Sequence, residues 1–494
     1  MKILIENGNV CSLDLPLKFA QKLYNEFAIR HPNAFYLRTR QRGMQNWDGK
    51  IHYITKTGQF KIGLLPKVYD MCIEMGIKPK VVDMRQPLPK VSKVVTNIGK
   101  YKLRPEQEKA VKAVINNKIG DTPFHIGVLD YTVNAGKTLI MSSLYLSYKK
   151  QLKTLLITND SDWLNQAREE FKQYLPGEDI TFVQGKVLNW SNFTIGMVQS
   201  ISRNMRFYQK ELSQIDMVLV DEADQGGSKQ YQNVITRLFN TRIRIGLSGT
   251  IYMSKLAKDR VKNMNLECFF GKVIAEFKLK DSIKKGYSTK TVVKMVPGKP
   301  WYGNWESDCI SYKEIYDDSI TNCYTAWLMA YNRLLWNLNQ GRYPALVVCK
   351  HIAHCENLYK FFKKKLGDAY NIAYVHVNTP SKLRQQIMKD FREGKIDILV
   401  STTIIARGKN FPKLRYLLNA ASMDSQEKSI QFLGRLVRTD KSKKKVYLDD
   451  LHYPGPYLDR HGKHRKQYYQ RQELKVILLD KLWKKHPNHS LIKS

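Results

Sequence analysis

Cysteine is sparse. The 494 residues hold seven, at positions 11, 72, 268, 309, 323, 349 and 355, and none forms a C-x-x-C pair. A disulfide-stapled scaffold is excluded, and the odd count fits free thiols in a reducing compartment. Cys349, His351, His354 and Cys355 have metal-ligand chemistry, but their spacing matches no common zinc motif. They read as the end of a buried strand followed by a helix. Long hydrophobic runs are missing too. No apolar stretch approaches the roughly 18 residues that span a bilayer, so a soluble chain with no membrane partner is expected. The start, MKILIENGNVCSLD, has Glu6 and Asn7 where a signal peptide is apolar, so the expected location is cytoplasmic. Acidic residues are few: 44 Asp and Glu stand against 82 Lys and Arg, a formal charge of +38. Such a surface attracts polyanions, nucleic acid first. At 43% apolar and 26% charged, the composition excludes a disordered chain.

Residues 1–84 read as a short strand, a helix at about 15–29, two strands around 35–63 and a helix from Pro66 to Gly76. That is a small α+β unit with a basic surplus. Residues 85–100, RQPLPKVSKVVTNIGK, read as a linker. From 101 onward, short runs apolar on both faces alternate with helical stretches: IGVLDY, KTLLIT, FTIGMV, MVLVDEAD, RIRIGLSGT. The cadence resumes after 287 with TVVKMV, ALVVCK, IAYVHV, DILVST, YLLNAA and KVYLDD. Parallel sheets covered by helices on both faces produce this pattern. Two consecutive α/β domains are expected, 101–286 and 287–450, with 311–340 helical. A basic extension, 451–494, ends in a helix near 466–486.

Three constellations carry chemistry. Tyr131-Thr132-Val133-Asn134-Ala135-Gly136-Lys137-Thr138 follows an apolar strand and opens a helix. Backbone N–H groups at a helix N-terminus cradle phosphate, Lys neutralises the β/γ oxygens, and Thr ligates Mg²⁺. The alternative is a plain helix N-cap with a solvated Lys137. Asp221-Glu222-Ala223-Asp224 follows the strand MVLV. A carboxylate at the carboxyl end of a parallel strand faces the ligand crevice. There Asp221 would hold the Mg²⁺ shell and Glu222 would activate water. The alternative is an acidic helix start answering the helix dipole. Gln431-Phe432-Leu433-Gly434-Arg435-Leu436-Val437-Arg438 places two Arg at i, i+3 on one helix face. Arg stabilises charge on a transferring γ-phosphoryl. By itself the segment is a basic helix face.

In this order the three resemble the superfamily 2 helicases and translocases, over about 100–450. The resemblance implies further roles. In Leu103-Arg104-Pro105-Glu106-Gln107, Gln107 would read adenine. Asn134, Ala135, Gly136, Lys137, Thr138 and Asn410 would hold ATP, with Thr138 and Asp221 on Mg²⁺. Thr158 to Gln166 is similar to motif Ia, and Val198-Gln199-Ser200 to motif Ib. Gln166, Gln199 and Ser200 would contact nucleic acid, as would Thr402 and Arg407 of a motif V-like stretch. Ser248-Gly249-Thr250 is similar to motif III, and Ser248, Thr250 and Gln431 would couple hydrolysis to strand movement. Leu346 to Lys350 fits motif IV. Catalysis would fall to Lys137, Asp221, Glu222, Arg435 and Arg438. Motif Ia is not P-T-R-E-L, motif III is not S-A-T, and motif VI opens with Gln431 rather than His-Arg. These departures lean from DEAD-box RNA helicases toward DNA translocases. Val133 and Tyr131 replace the usual Thr and small residue of motif I.

Asn46-Trp47-Asp48-Gly49-Lys50 resembles a turn in the N-terminal domain of the UvsW-type DNA helicases of tailed phages. Trp47 either stacks on a base at a fork or packs the small domain. Ile477, Leu478 and Leu482, with Trp483, suggest an apolar stripe under the basic tail. The expected fold is α/β: two tandem RecA-like parallel-sheet domains behind a small α+β domain, with a basic helical C-terminal extension. The expected activity is ATP- and Mg²⁺-dependent remodelling of branched DNA: forks, Holliday junctions, or R-loops with their RNA. The host cytoplasm is the expected location for a phage protein. The alternatives are an RNA helicase, or a non-catalytic DNA-binding or annealing protein with a degenerate phosphate loop.

Overall fold

A strand with no wet face needs cover on both sides of its sheet. Many of the apolar runs meet that condition; in the first large sheet Ile126–Tyr131, Thr154–Thr158, Met217–Asp221 and Ile243–Ser248 are among those buried at every residue. The computed structural model describes residues 1–14, 16–40, 43–148, 151–185, 187–251, 259–298, 311–406, 411–440 and 442–479. In it, these strands lie within an eight-stranded sheet. The order is Val187–Leu188, Ile180–Gln184, Phe193–Met197, Thr154–Thr158, Met217–Asp221, Ile243–Ser248, Ile126–Tyr131, Val273–Phe277. Neighbours run parallel except at the Val187–Leu188 edge. A second sheet has seven strands, all parallel: Ile372–Val375, Ile398–Thr402, Ala345–Cys349, Tyr416–Asn419, Lys445–His452, Lys290–Pro297 and Val476–Leu478. The chain divides into two compact units, Met1–Phe277 and Lys278–Ser494. This is the expected α/β class, two tandem RecA-like sheets behind a small α+β domain. No helix of the described residues is long and apolar enough to cross a membrane.

The small N-terminal sheet runs Phe60–Lys61, Val10–Asp14, Lys2–Ile5, Lys80–Asp83. Helices Leu17–Glu26 and Leu65–Glu74 accompany it. Strands were expected around 35–63, and Lys50–His52 and Phe60–Lys61 are strands, but Ala34–Arg40 is a helix. Its inward residues, Ala34 and Leu37, repeat at helical rather than alternating spacing. Arg244 joins this domain to the first large sheet. Its fully buried guanidinium donates to Gly8 O at 2.5 Å, Asn9 Oδ1 at 2.8 Å and Phe269 O at 3.2 Å. Burial lowers its pKa to about 9. The expected linker is held down as well. Arg85 donates to Thr241 O at 3.0 Å, and the Val95 amide to Ser147 Oγ at 3.0 Å.

In the second unit, the expected helix over 311–340 is broken into Tyr312–Tyr316, a π-helical turn Asp317–Thr321, and Tyr324–Asn339. The expected terminal helix near 466–486 starts earlier and stops sooner, at Leu458–Arg471. Val476–Leu478 is instead a strand, aligned with Val293–Met295, because β-branched Val476 and Ile477 meet an open sheet edge. Leu482 and Trp483 lie outside the described residues. Adjacent residues of a strand point to opposite faces, and Asp449 and Asp450 use this to fasten a helix on each side. Asp449 accepts from Arg333 Nε at 2.9 Å and Nη2 at 2.6 Å. Asp450 accepts from Arg465 Nε at 2.9 Å and Nη2 at 2.8 Å, from Asn419 at 2.8 Å and from Tyr469 at 2.8 Å.

Candidate functional site

The strand Ile126–Tyr131 ends in a turn that opens the helix Lys137–Ser147. Asn134 and Gly136 hold positive φ, 66° and 72°, which bends the backbone back onto the helix N-terminus. A Cβ on Gly136 would lie 2.3 Å from Gln107 Nε2, so only glycine fits. Gln107 itself is fixed. Its Oε1 accepts from Arg104 N at 2.8 Å, and its Nε2 donates to Ala135 O at 2.9 Å. Tyr131 does not distort the loop. It is fully buried and donates its hydroxyl to Glu106 O at 2.8 Å, which ties the strand end to the segment carrying Gln107. The replacement of a small residue by Tyr131 is therefore accommodated outside the turn.

Asp221 ends the strand Met217–Asp221 and is 5% exposed. Its Oδ1 is buried with no hydrogen-bond partner among the described residues. Burial pushes the Asp221 carboxyl up, and the Lys137 ammonium pulls it back down. An oxygen left bare beside a cation at a strand's carboxyl end suits a metal ligand or its water. Half-buried Lys137 and Thr138 open the neighbouring helix. Glu222 follows at φ 52°, a conformation that costs a non-glycine residue about 1–2 kcal/mol and is found mostly at functional sites.

The next contacts run from these carboxylates into the other motifs. Ser248 donates to Asp224 Oδ1 at 2.7 Å and shares a hydrogen bond with the Thr250 hydroxyl at 3.0 Å. Gly249 sits so close that a Cβ would meet Thr132 Cα at 3.0 Å and Tyr131 O at 3.1 Å. Asn159 donates to Gln225 and accepts from Gln199 Nε2 at 3.5 Å. Ser200 Oγ takes the Gly185 amide at 2.9 Å, and Gln166 donates to Glu170.

The first unit thus brings together Gln107, Ala135, Gly136, Lys137 and Asp221, and links Ser248 and Thr250 to the carboxylate strand. Gln166 and Ser200 spend their polar groups on nearby protein. Trp47 stands apart in the N-terminal domain, half-buried, with its indole donating to Lys50 O at 2.9 Å. The second unit holds Thr402 at the end of Ile398–Thr402, and Gln431 and Arg435 on the helix Gln426–Leu436. Arg438 was expected to share that helix face, but the helix caps at Val437, so Arg438 lies just past it and its carbonyl accepts from Thr289 at 3.1 Å. Arg407 and Asn410 lie outside the described residues. Two roles had not been assigned from sequence: Asp224 as the partner of Ser248, and Asn159 as the bridge between Gln199 and Gln225. The signal for Asp224 was the S-G-T stretch, whose hydroxyls need a buried acceptor.

Comparison with known proteins fits this arrangement. Residues 100–253 match the family described as the type III restriction enzyme res subunit, and residues 328–440 match the helicase conserved C-terminal domain. A protein named helicase 22, from a Sulfolobus islandicus filamentous virus, is 22% identical over 385 residues. The alignment takes in 72% of this chain and 64% of that protein, so the chain spans less than two thirds of that relative's length. An HsdR-subunit fragment of a type I restriction enzyme from Vibrio vulnificus has a similar fold, with a TM-score of 0.55 at 15% identity over 76% of this chain and 67% of that one. The crystal structure of UvsW from bacteriophage T4 aligns with 97% of this chain and 99% of that one, at 19% identity and a TM-score of 0.44. With both domain families matched in sequence order on two tandem parallel sheets, the chain belongs to the superfamily 2 helicases.

Proposed function

We propose that this protein is an ATP-driven DNA helicase or translocase that remodels branched DNA. The observation that carries the nucleotide half of this reading is the buried Asp221 oxygen, without a hydrogen-bond partner among the described residues and within the field of Lys137, which opens the helix after Gly136. When bound, ATP with Mg²⁺ supplies the phosphoanhydride and the positive charge that such an oxygen lacks. Thr138 and Asp221 would hold the metal, and Lys137 would neutralise the β/γ oxygens. Gln107, locked to the Ala135 carbonyl, positions the loop from beneath. Glu222 would orient and deprotonate the attacking water. Arg435 and Arg438 are the second unit's candidates for stabilising phosphoryl charge.

The preference for DNA over RNA rests on the departures in motifs Ia, III and VI. It also draws on the restriction-enzyme family matched by residues 100–253. The formal charge of +38 supports a polyanionic track of either kind. The test is the ATPase rate of the full chain on single-stranded, duplex, forked, four-way and R-loop substrates, with duplex RNA alongside. Stimulation highest on branched DNA supports the reading. Stimulation by RNA alone makes the protein an RNA helicase, and no stimulation by any of them removes the motor.

A further inference from the structure

The helix Ala34–Arg40 hides little of itself. Ala34 is buried, but Phe35 is 80% exposed and Tyr36 55%. Arg38, Thr39 and Arg40 are exposed as well. Helical spacing puts Phe35, Arg38 and Thr39 on one face. That face borders a cleft of about 460 Å³, whose opposite wall includes Arg30, Asp48 and Lys50. The volume lies in the range of small-ligand pockets, roughly 300–1,000 Å³. Arg30 and Lys50 are directly paired across a two-stranded ribbon, so two cations meet at its end. Asp48 is already engaged, by His52 Nε2 at 2.7 Å and by the Lys50 amide at 2.9 Å. Trp47 holds the wall: its indole is fixed to Lys50 O, and it meets His31 edge-on at 5.8 Å. Tyr36 is partly covered by the Arg40 guanidinium, 4.9 Å from its ring. Phe35 is the ring left open to a planar ligand.

We propose that this cleft takes one unpaired base of a nucleic-acid strand, stacked on Phe35, with the flanking phosphates on Arg30, Arg38 and Lys50. The proposal rests on the nucleic-acid reading above and narrows it to a residue set and a ligand. An aromatic face accepts any base, and neighbouring cations track the backbone. An intact duplex keeps its bases stacked inside and offers only phosphates, so Phe35 would find nothing to stack on. A strand freed at a branch offers both.

The experiment uses the full chain with a short oligothymidylate carrying one 2-aminopurine, its RNA counterpart, and a blunt duplex. Stacking quenches the 2-aminopurine signal. Phe35→Ala should remove the quench and weaken single-strand binding about 5- to 150-fold, the equivalent of about 1–3 kcal/mol per stacked base. Duplex binding should change far less, and Phe35→Trp should restore both losses. Arg38→Ala should flatten the slope of log affinity against log salt by about 0.7 on single strands. The DNA and RNA arms identify which strand is preferred. Wild-type quench and affinity in Phe35→Ala would overturn the proposal and leave the patch to an acidic protein partner. Equal losses on single strand and duplex would also overturn it. The motor reading fails separately, when the wild-type ATPase ignores nucleic acid altogether.

Discussion

Arg465 and Asp450 are both fully buried, and their pairing fixes the helix Leu458–Arg471 onto the second sheet. Replacing Arg465 with Met removes the cation and leaves a carboxylate in the core with Asn419 and Tyr469 as its remaining donors among the described residues. It also strips the Met423 and Leu451 carbonyls of guanidinium contacts at 3.0 and 2.9 Å. Breaking a buried ion pair from one side costs about 3–5 kcal/mol. At about 1.4 kcal/mol per tenfold, the opened form becomes roughly 150- to 5,000-fold more populated. Hydrogen exchange suits a multidomain chain better than a single unfolding midpoint. Amides of 458–471 should exchange faster by about that factor, while amides of the first unit keep their rates. The double variant Arg465→Met with Asp450→Leu should recover part of the loss, because a hydrophobic replacement removes the stranded charge. Unchanged exchange in Arg465→Met would refute the buried pair. A double variant worse than the single would refute the charge argument.

Other outcomes follow from the site and its surroundings. Lys137→Ala should abolish ATP hydrolysis, whereas Glu222→Gln should keep ATP bound without turnover; hydrolysis near the wild-type rate in Glu222→Gln would show that another group activates the water. Gly136→Ala should weaken ATP binding about 5- to 30-fold by nucleotide titration, because the αL backbone costs Ala about 1–2 kcal/mol and the Cβ displaces Gln107. His354, buried against Tyr316, has its pKa lowered to about 3 by burial. The unfolded chain protonates this histidine near pH 6.5 and the folded chain does not. Stability is therefore intact above pH 6.5 and falls as pH drops toward 3, by about 1.4 kcal/mol per unit. His354→Gln should flatten that slope in urea titrations between pH 6.5 and 4, and an identical slope would exclude His354 as the source.

The parallel strands were legible because burial on both faces leaves a local mark, an uninterrupted apolar run such as IGVLDY or MVLVD. The phosphate loop and the carboxylate strand were legible for a related reason: their chemistry sits in contiguous residues. Long-range choices were not. Val476–Leu478 became a strand only because Lys290–Pro297 offered an edge far away in sequence. Asp449 read as a strand end, and its partner Arg333 lies 116 residues away. Arg465 belongs to the basic extension, yet it is buried, because its partner Asp450 lies on the sheet beneath. The helix Ala34–Arg40 was missed because its few aromatic and β-prone residues resemble a strand, and only tertiary packing of Ala34 decides against one.

Arg244 has a structural consequence. It sits on the strand Ile243–Ser248, and its guanidinium donates to the Gly8 carbonyl and to the side-chain Oδ1 of Asn9. The far end of the same strand is Ser248, which holds Asp224. One of the links between the N-terminal domain and the first sheet therefore sits on a strand whose other end meets the carboxylates; Asn9 to the Thr236 carbonyl and Tyr53 to Asn265 are others. Cutting away residues 1–84 would not cleanly remove a gripping part. It would strip the buried Arg244 guanidinium of its Gly8 and Asn9 acceptors and leave it the Phe269 carbonyl. The N-terminal domain is thus part of the first unit's buried hydrogen bonding rather than an appendage to it.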